Sequence, residues 1–440
     1  MCPYRIYIHK QQNKVTHMSE NKSYISRIPS PSEIIKTQET PADAGTPDNT
    51  APSSIDTRYA GSLKISVVSS IDLTPVANAT VVISYTGDPE SPLMTMMTDS
   101  SGQTQTIELP APPLDYSLDP EQLYQPYSEY NIQVTADGYE PVLVSGTEIL
   151  PDELALQNIR MNPLTVTEED EKRVFIPVHT LFGEYPAKIP EDEIKPMAET
   201  GEIVLSRVVV PEYIIVHDGV PQDSTARNYW VRYKDYIKNV ASSEIYPTWP
   251  EEAIRANMYA QISYALNRVY TEYYRSRGYD FDITNSTRYD QYFVNGRDIF
   301  ENIQRIAGDI FNDYIRRQGS VEPLFAQYCN GTTVTCQGLS QWGSQNLAQQ
   351  GYSSTQILRS YYGNVEIVNN APIRGITSSY PGTPLRRGSS GPYVVVVQVM
   401  LNRISQNYPL IPKLATVDGI FGSRTEAAVR KFQEEFNLTS

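Results

Sequence analysis

The stretch NVASSEIYPTWPEEAIRANMYAQISYALNRV, from Asn239 to Val269, decides how the chain is to be read. Pro250 fits the opening turn of a helix, where its missing amide hydrogen is not needed, and Glu251 and Glu252 complement the positive helix end. Ile254, Met258, Ile262, Leu266 and Val269 then recur at helical spacing. This predicts an amphipathic helix with one buried stripe, stopping near Gly278. Upstream, Tyr233, Ile237 and Val240 predict a shorter helix over 233–240. Between the two lie Ser242, Ser243 and Glu244, then a bend through Pro247, Trp249 and Pro250. A bend before so firm a helix holds Glu244 in a reproducible place. Ile245, Tyr246 and Trp249 can desolvate its carboxyl while Ser242 and Ser243 orient it, although spacing alone is met as simply by a solvated or helix-capping glutamate.

Outward from this stretch, the chain divides by composition. At 440 residues it is long enough for several domains. Residues 1–58 are rich in Ser, Pro, Thr and Asn and are expected to be a mobile pro-segment, apart from one edge strand over Tyr4–His9. Over 59–165, the runs 63–68, 79–85, 104–109 and 130–134 favour β-structure, separated by turn signals such as Thr98 to Gly102. They predict a β-sandwich that acts as spacer, folding aid or regulatory prodomain, with a proline-rich loop over 110–127 open to a protease. An acidic connection near 165–172 leads to a mixed α+β domain over 166–380. Residues 384–440 read as a small module of three helices, with a tight turn at Asp418 to Gly422 and a capping box from Ser423 to Glu426.

Composition narrows the function. A formal charge of −15 argues against nucleic acid as a partner. With four histidines, none in ligand spacing, a multi-histidine metal enzyme is not indicated. No apolar run is long enough to span a bilayer, and Met1–Lys10 lacks the apolar core of a secretory signal. Cys329 and Cys336 are open to three readings: a small disulfide loop, two free thiols or, lacking further ligands nearby, a zinc pair.

Cutting a glycosidic bond takes a proton donor at the leaving oxygen and a nucleophile at the sugar carbon. Hydrolases usually use two carboxylates, whereas a lytic transglycosylase uses one, because the substrate's own C6 hydroxyl attacks. Glu244 is the candidate acid/base, with Asp280, Asp282 and Asp290 as rivals. Tyr279 to Asp282 also reads as an alternating surface strand. A second patch, Gly338 to Tyr352, places Ser340, Gln341 and Trp342 among glycines. There Trp342 can lie against a sugar face and Gln341 can bond its hydroxyls, or Trp342 can simply be core.

Ser243-Glu244-Ile245-Tyr246-Pro247-Thr248-Trp249-Pro250, with Glu252-Ala253 and Arg255-Ala256 behind it, resembles the glutamate motif of the SpoIID family of peptidoglycan lytic transglycosylases. Gly338-Leu339-Ser340-Gln341-Trp342-Gly343, Gln350-Gly351-Tyr352, Ile357-Leu358 and Tyr361-Tyr362-Gly363 resemble its distal signature. The resemblance covers much of 200–370 and implies that Glu244 is the catalytic acid/base in a groove lined by some of Tyr246, Trp249, Ser340, Gln341 and Trp342. There are departures. The family's basic residue in the following helix falls on Ile262, and a segment that in some members holds zinc reads Gln327-Tyr328-Cys329-Asn330-Gly331-Thr332. No metal or cofactor is expected.

Leu385 to Ser389, Val417 to Gly422, Arg424 to Val429 and Phe432-Gln433 resemble the common helical peptidoglycan-binding domain. The whole arrangement is similar to the clostridial spore cortex-lytic precursors. That implies a zymogen stored at or near the spore cortex, a subtilisin-like germination protease as activating partner, and cortex peptidoglycan as substrate. A noncatalytic wall-binding scaffold and a hydrolase pairing Glu244 with an aspartate such as Asp282 are the alternatives.

Overall fold

The computed structural model describes residues 59–164, 172–194, 208–374, 384–405 and 408–436. The expected pro-segment 1–58, its Tyr4–His9 strand and most of the acidic connection lie outside them.

Eight strands build the first part: β1 (Ala60–Ser69), β2 (Thr80–Tyr85), β3 (Asp88–Met97), β4 (Ile107–Pro110), β5 (Ser128–Thr135), β6 (Val142–Ile149), β7 (Leu154–Met161) and β8 (Lys172–Phe175). In β1 the side chains alternate strictly between half-buried and buried, so Leu63, Ile65 and Val67 enter the core. β2, β5, β6 and β8 follow the edge strand β3 in a five-stranded sheet. β3 carries Pro89 and Pro92, which an edge position tolerates. β6 contains Gly146 at φ +93°, where an added Cβ would meet the Ile176 carbonyl oxygen at 2.4 Å.

The other sheet crosses into the central part of the chain. Its order is Ile299–Phe300, β7, β1, β4, and Ile299 and Phe300 pair with Leu156 and Ala155. β8 lies beyond residue 165 yet pairs with β6. One apolar core therefore runs from Leu63 and Val81 through Tyr246 and Trp249 to Ile357. A buried charge cluster sits on the same seam. Arg297 pairs with Glu148 of β6 at 2.7 Å and lies 3.8 Å from Asp298, all three essentially without solvent. Burial pushes the Glu148 carboxyl up to about 8, against the pull of Arg297.

The central part is mixed α+β. Its helices are α1 (Tyr233–Glu244), α2 (Glu251–Tyr270), α3 (Glu301–Ile310), α4 (Gln341–Gln349) and α5 (Ser354–Tyr362), among short two- and three-stranded sheets. α1 runs past the expected Val240 and ends at Glu244, because Tyr246 precedes Pro247 and is barred from helical geometry; Ile245 is already extended. α2 starts after Pro250 as expected but stops at Tyr270, with Thr271 as its cap. Gly278, at φ +83°, instead closes a single turn over Arg275–Arg277. Nor is α2 amphipathic: from Ala253 to Arg268 every side chain except Arg255 is buried. Its other faces are covered by α1, α4, α5 and the strand Tyr314–Arg317. Tyr279–Asp282 is irregular chain, with strand only at Ile283–Thr284.

Toward the C-terminus, α6 (Pro392–Ile404) and α7 (Ser423–Glu435) pack around Leu401, Ile411, Leu414 and Ala428. These are two helices among the described residues where three were expected. Gly422, not Ser423, stands at the α7 N-cap, and no side chain caps it.

Because Arg297 is the cation shared by two buried carboxyls, Arg297→Ala should cost about 3–5 kcal/mol. Urea unfolding of the full chain measures this, and a loss under about 1 kcal/mol would mean the cluster does not hold the seam.

Candidate active site

Glu244 ends α1 at 3 % exposure, and three donors meet its carboxylate. The backbone N–H of Tyr292 donates to Oε1 at 2.7 Å. The Tyr328 hydroxyl and the Gln261 amide donate to Oε2 at 2.6 and 2.9 Å. Each donor is itself fixed. Asn239, one turn before Glu244, exchanges two hydrogen bonds with Val294 and so pins the Tyr292 segment. Gln291 donates to the Tyr328 hydroxyl at 2.9 Å and to the Gln261 carbonyl at 3.1 Å, and accepts from Tyr236 at 3.0 Å. Ser242 and Ser243, expected to orient the carboxyl, do not do so. Ser243 donates to the Asn239 carbonyl within α1, and Ser242 accepts from the Phe300 amide.

Burial pushes the Glu244 carboxyl above its ordinary value of 4.5, and the Lys188 ammonium together with the three donors pulls it part of the way back. The negative end of α1 acts in the same direction as burial. Lys188 enters from the segment 176–194, which crosses the site. Its ammonium lies 5.0 and 5.4 Å from the ring centres of Tyr328 and Tyr264 and donates to the Asp290 carbonyl. Thr180 of the same segment donates to the Ser243 carbonyl through both its amide and its hydroxyl. Glu244, Lys188, Tyr185 and Tyr328 share a cavity of about 60 Å³. Beside it a trough of about 640 Å³ runs past Lys188, Tyr328 and Cys336.

The expected sugar-binding residues are under cover. Tyr246, Trp249 and Trp342 form one aromatic cluster, with Trp249 and Trp342 ring centres 4.9 Å apart. The 110–127 loop lies on it: Trp249 Nε1 donates to the Ser117 carbonyl at 2.9 Å, and the Thr248 hydroxyl to the Ser117 hydroxyl at 2.8 Å. Gln341 donates to the Glu244 backbone carbonyl at 3.0 Å, and Ser340 caps α4 by accepting from the Gly343 amide. In this arrangement these five residues support the glutamate and its surroundings, and Gln341 also lines the small cavity at Glu244.

The rival carboxylates are committed elsewhere. Asp290 is buried and accepts from Arg268 at 2.7 Å, from Tyr274 at 2.6 Å and from the Thr284 amide and hydroxyl. Asp282 accepts from the Ile215 amide and pairs with Arg275. Asp280 accepts from Asn228 at the surface. Cys329 and Cys336 form a disulfide, which resolves the three readings. With both sulfurs so used, and no cluster of three or more His, Cys, Asp or Glu arranged for a metal among the described residues, this segment does not fit a zinc ion.

Sequence reasoning missed Gln261, Tyr292, Tyr328 and Lys188. A signal for Gln261 existed: Asn257, Gln261, Tyr264 and Arg268 form a polar row at helical spacing on α2, in which Gln261 bonds Glu244, Tyr264 and Arg268 bond Asp290, and Asn257 bonds Ser344 of α4.

With this geometry in hand, comparison with known proteins gives two matches. Residues 222–307 match the family described as stage II sporulation protein, SpoIID, and residues 390–440 match a putative peptidoglycan binding domain. The chain carries a SpoIID-like domain and a C-terminal peptidoglycan-binding domain. No curated protein matches the chain. Solved structures similar to part of it include the Bacillus anthracis TIE protein, at 18% identity over 24% of this chain and 18% of that one, TM-score 0.18. Hydroxyquinol 1,2-dioxygenase from Pseudomonas putida DLL-E4 follows at 15% identity, 24% and 57% coverage, TM-score 0.17. Klebsiella pneumoniae 5-hydroxyisourate hydrolase stands at 15%, 24% and 92%, TM-score 0.16. The chain thus spans less than two thirds of the first two, and likenesses with TM-scores this low carry no argument. No helix among the described residues is long and apolar enough to cross a membrane.

The proton on Glu244 supplies a test. A folded value above 4.5 means this group favours the fold below the unfolded value and withdraws that contribution as pH rises through the folded one. NMR titration of the labelled Glu244 carboxyl should give a midpoint above 4.5, and Tyr328→Phe, by removing a donor to the carboxylate, should raise it further. A midpoint at or below 4.5 would contradict the site as described.

Proposed function

We propose that the chain is the inactive precursor of a peptidoglycan lytic transglycosylase that cleaves cortex glycan at muramyl bonds and leaves anhydromuramyl ends. The observation that carries this reading is the lone carboxyl of Glu244, shielded from water within the SpoIID-like segment while Asp290 and Asp282 are held by arginines. A shielded carboxyl keeps its proton to higher pH and can give it to the glycosidic oxygen as the C1–O bond breaks. The resulting carboxylate then takes the proton of the C6 hydroxyl as that oxygen bonds to C1, closing the anhydro ring. Water is not consumed, and Glu244 ends protonated again.

The same reading accounts for the covered aromatic cluster. Tyr246, Trp249 and Trp342 present flat apolar faces of the kind that stack on sugars, with Ser340 and Gln341 alongside, and the Ser117 loop holds them in the precursor. Cleavage by a subtilisin-like germination protease frees this face, and the enzyme acts at the spore cortex. The C-terminal module keeps it on the polymer, raising the local substrate concentration without lowering the barrier.

The test is product analysis on isolated cortex with protease-treated chain. Wild type should release anhydromuramyl-ended fragments, and Glu244→Gln should lower that rate by about two to four orders of magnitude while leaving wall binding intact. Reducing muramyl ends from wild type would indicate a hydrolase. Retained turnover by Glu244→Gln, or binding without any released ends, would refute the proposal.

A further inference from the structure

We propose that the segment 176–194 is a built-in inhibitor of the Glu244 site, with Lys188 as its latch, so that activation requires this strap to lift as well as the Ser117 loop to leave. This rests on the assignment of Glu244 as the working carboxyl. The strap does what a bound ligand would do. Its Lys188 ammonium fills the place beside Glu244 between the faces of Tyr264 and Tyr328, in the same small cavity as the carboxylate. The next residues line the adjoining trough, so a glycan strand approaching Glu244 along it meets the strap first.

The strap is tied at both ends, and differently. On its N-terminal side it belongs to the β-region. It continues directly from β8, the Ile176 amide donates to the Ser145 carbonyl, and the His179 amide donates to the Tyr127 hydroxyl at 2.9 Å. The His179 ring, buried and pushed toward its neutral form by that burial, lies tilted against Tyr246 of the central part, ring centres 4.6 Å apart. On its C-terminal side it belongs to the central part. The Ile189 amide donates to the Arg288 carbonyl, Glu191 takes two bonds from the buried Arg268 guanidinium at 2.6 and 2.9 Å, and Glu193 pairs with Arg317. Separating the β-region from the rest removes the Ser145 and Tyr127 ties but leaves the second set, the His179 contact with Tyr246, the Thr180 bonds to the Ser243 carbonyl and the Tyr185 bond to Tyr292. Loss of the β-region therefore frees one end of the strap, and the remaining ties hold Lys188 over Glu244 until the strap itself lifts. Lys188 contributes in the same sense, since its ammonium favours the ionised carboxylate, and a general acid must start protonated.

The test uses the full, uncleaved chain and two strap variants. Lys188→Met removes the latch. Glu193→Lys places a like charge against Arg317 at the far, half-exposed end of the strap, away from the lining of the cavity. Glu244 is modified with a water-soluble carbodiimide and glycine ethyl ester and read by peptide mass spectrometry, with circular dichroism and the melting temperature confirming the fold. The expected result is a wild-type Glu244 that stays protected and a rise in modification of about tenfold in both variants. Unchanged protection in both folded variants overturns the proposal. Because labelling needs no turnover, a rise in labelling with no anhydro products from any form upholds the strap and removes the transglycosylase reading. Anhydro products from protease-treated wild type with labelling unmoved in the variants do the reverse.

Discussion

Much of the central structure follows from one constraint, the burial of an ionisable carboxyl at the end of a helix. A carboxylate without partners in such a place costs several kcal/mol, and the helix terminus adds to the penalty. The chain meets it with donors from three separate stretches, Gln261 of α2, the Tyr292 backbone and Tyr328. Bringing them to one point dictates the packing around it. α2 must pass beside the end of α1, the Tyr292 segment must be pinned by Asn239, and the strand bearing Tyr328 must lie across both. That is why α2 is buried on nearly all faces and why its polar side chains are ordered rather than solvated.

The bend after Glu244 carries a second consequence. Pro247 and Pro250 turn the chain so sharply that Trp249 projects from between two helices into the space shared with Tyr246 and Trp342. Fully burying one such ring contributes about 1.5–3 kcal/mol, so a cluster of three needs a cover. The Ser117 loop provides it and satisfies the indole N–H as well. A cover of this kind is part of the same core it conceals, which explains why the β-region and the central part share a sheet, a charge cluster and one continuous apolar interior.

What was legible in the sequence, and what was not, follows from the range of the interactions. The start of α2 and the strands β1, β2 and β5 are written in local periodicity and in prolines, and the structure has them. β7, Leu-Ala-Leu-Gln-Asn-Ile-Arg-Met, is built from residues at ease in helices; it is a strand because β1 pairs with it in parallel over eight positions. Gly278 does not end α2, because the chain leaves the helix earlier to wrap Tyr273 and Tyr274 around Arg268, a tertiary demand with no local trace. For the site, Glu244 and its aromatic neighbours stand in one short motif. Its donors Tyr292 and Tyr328 lie 48 and 84 residues away, in stretches with no repeating pattern. Lys188 sits between Pro186 and Pro190, where neither helical nor strand periodicity can register a role.

The placement of positive charge ties these points together. At Ile262, where the resembled family has a basic residue, this chain has an apolar side chain within a fully packed helix, leaving no cation there to balance Glu244. The balancing ammonium arrives instead on Lys188, from a segment outside the helical core. A charge fixed on α2 would act on the carboxyl in every state of the protein. One carried on a strap acts only while the strap is down. With the strap in place the site is closed and Lys188 partly offsets the burial that keeps the proton on Glu244; with the strap away it is open and that offset is gone. Access and protonation then change together through a single movement, which is the coupling that the proposed acid catalysis at Glu244 requires.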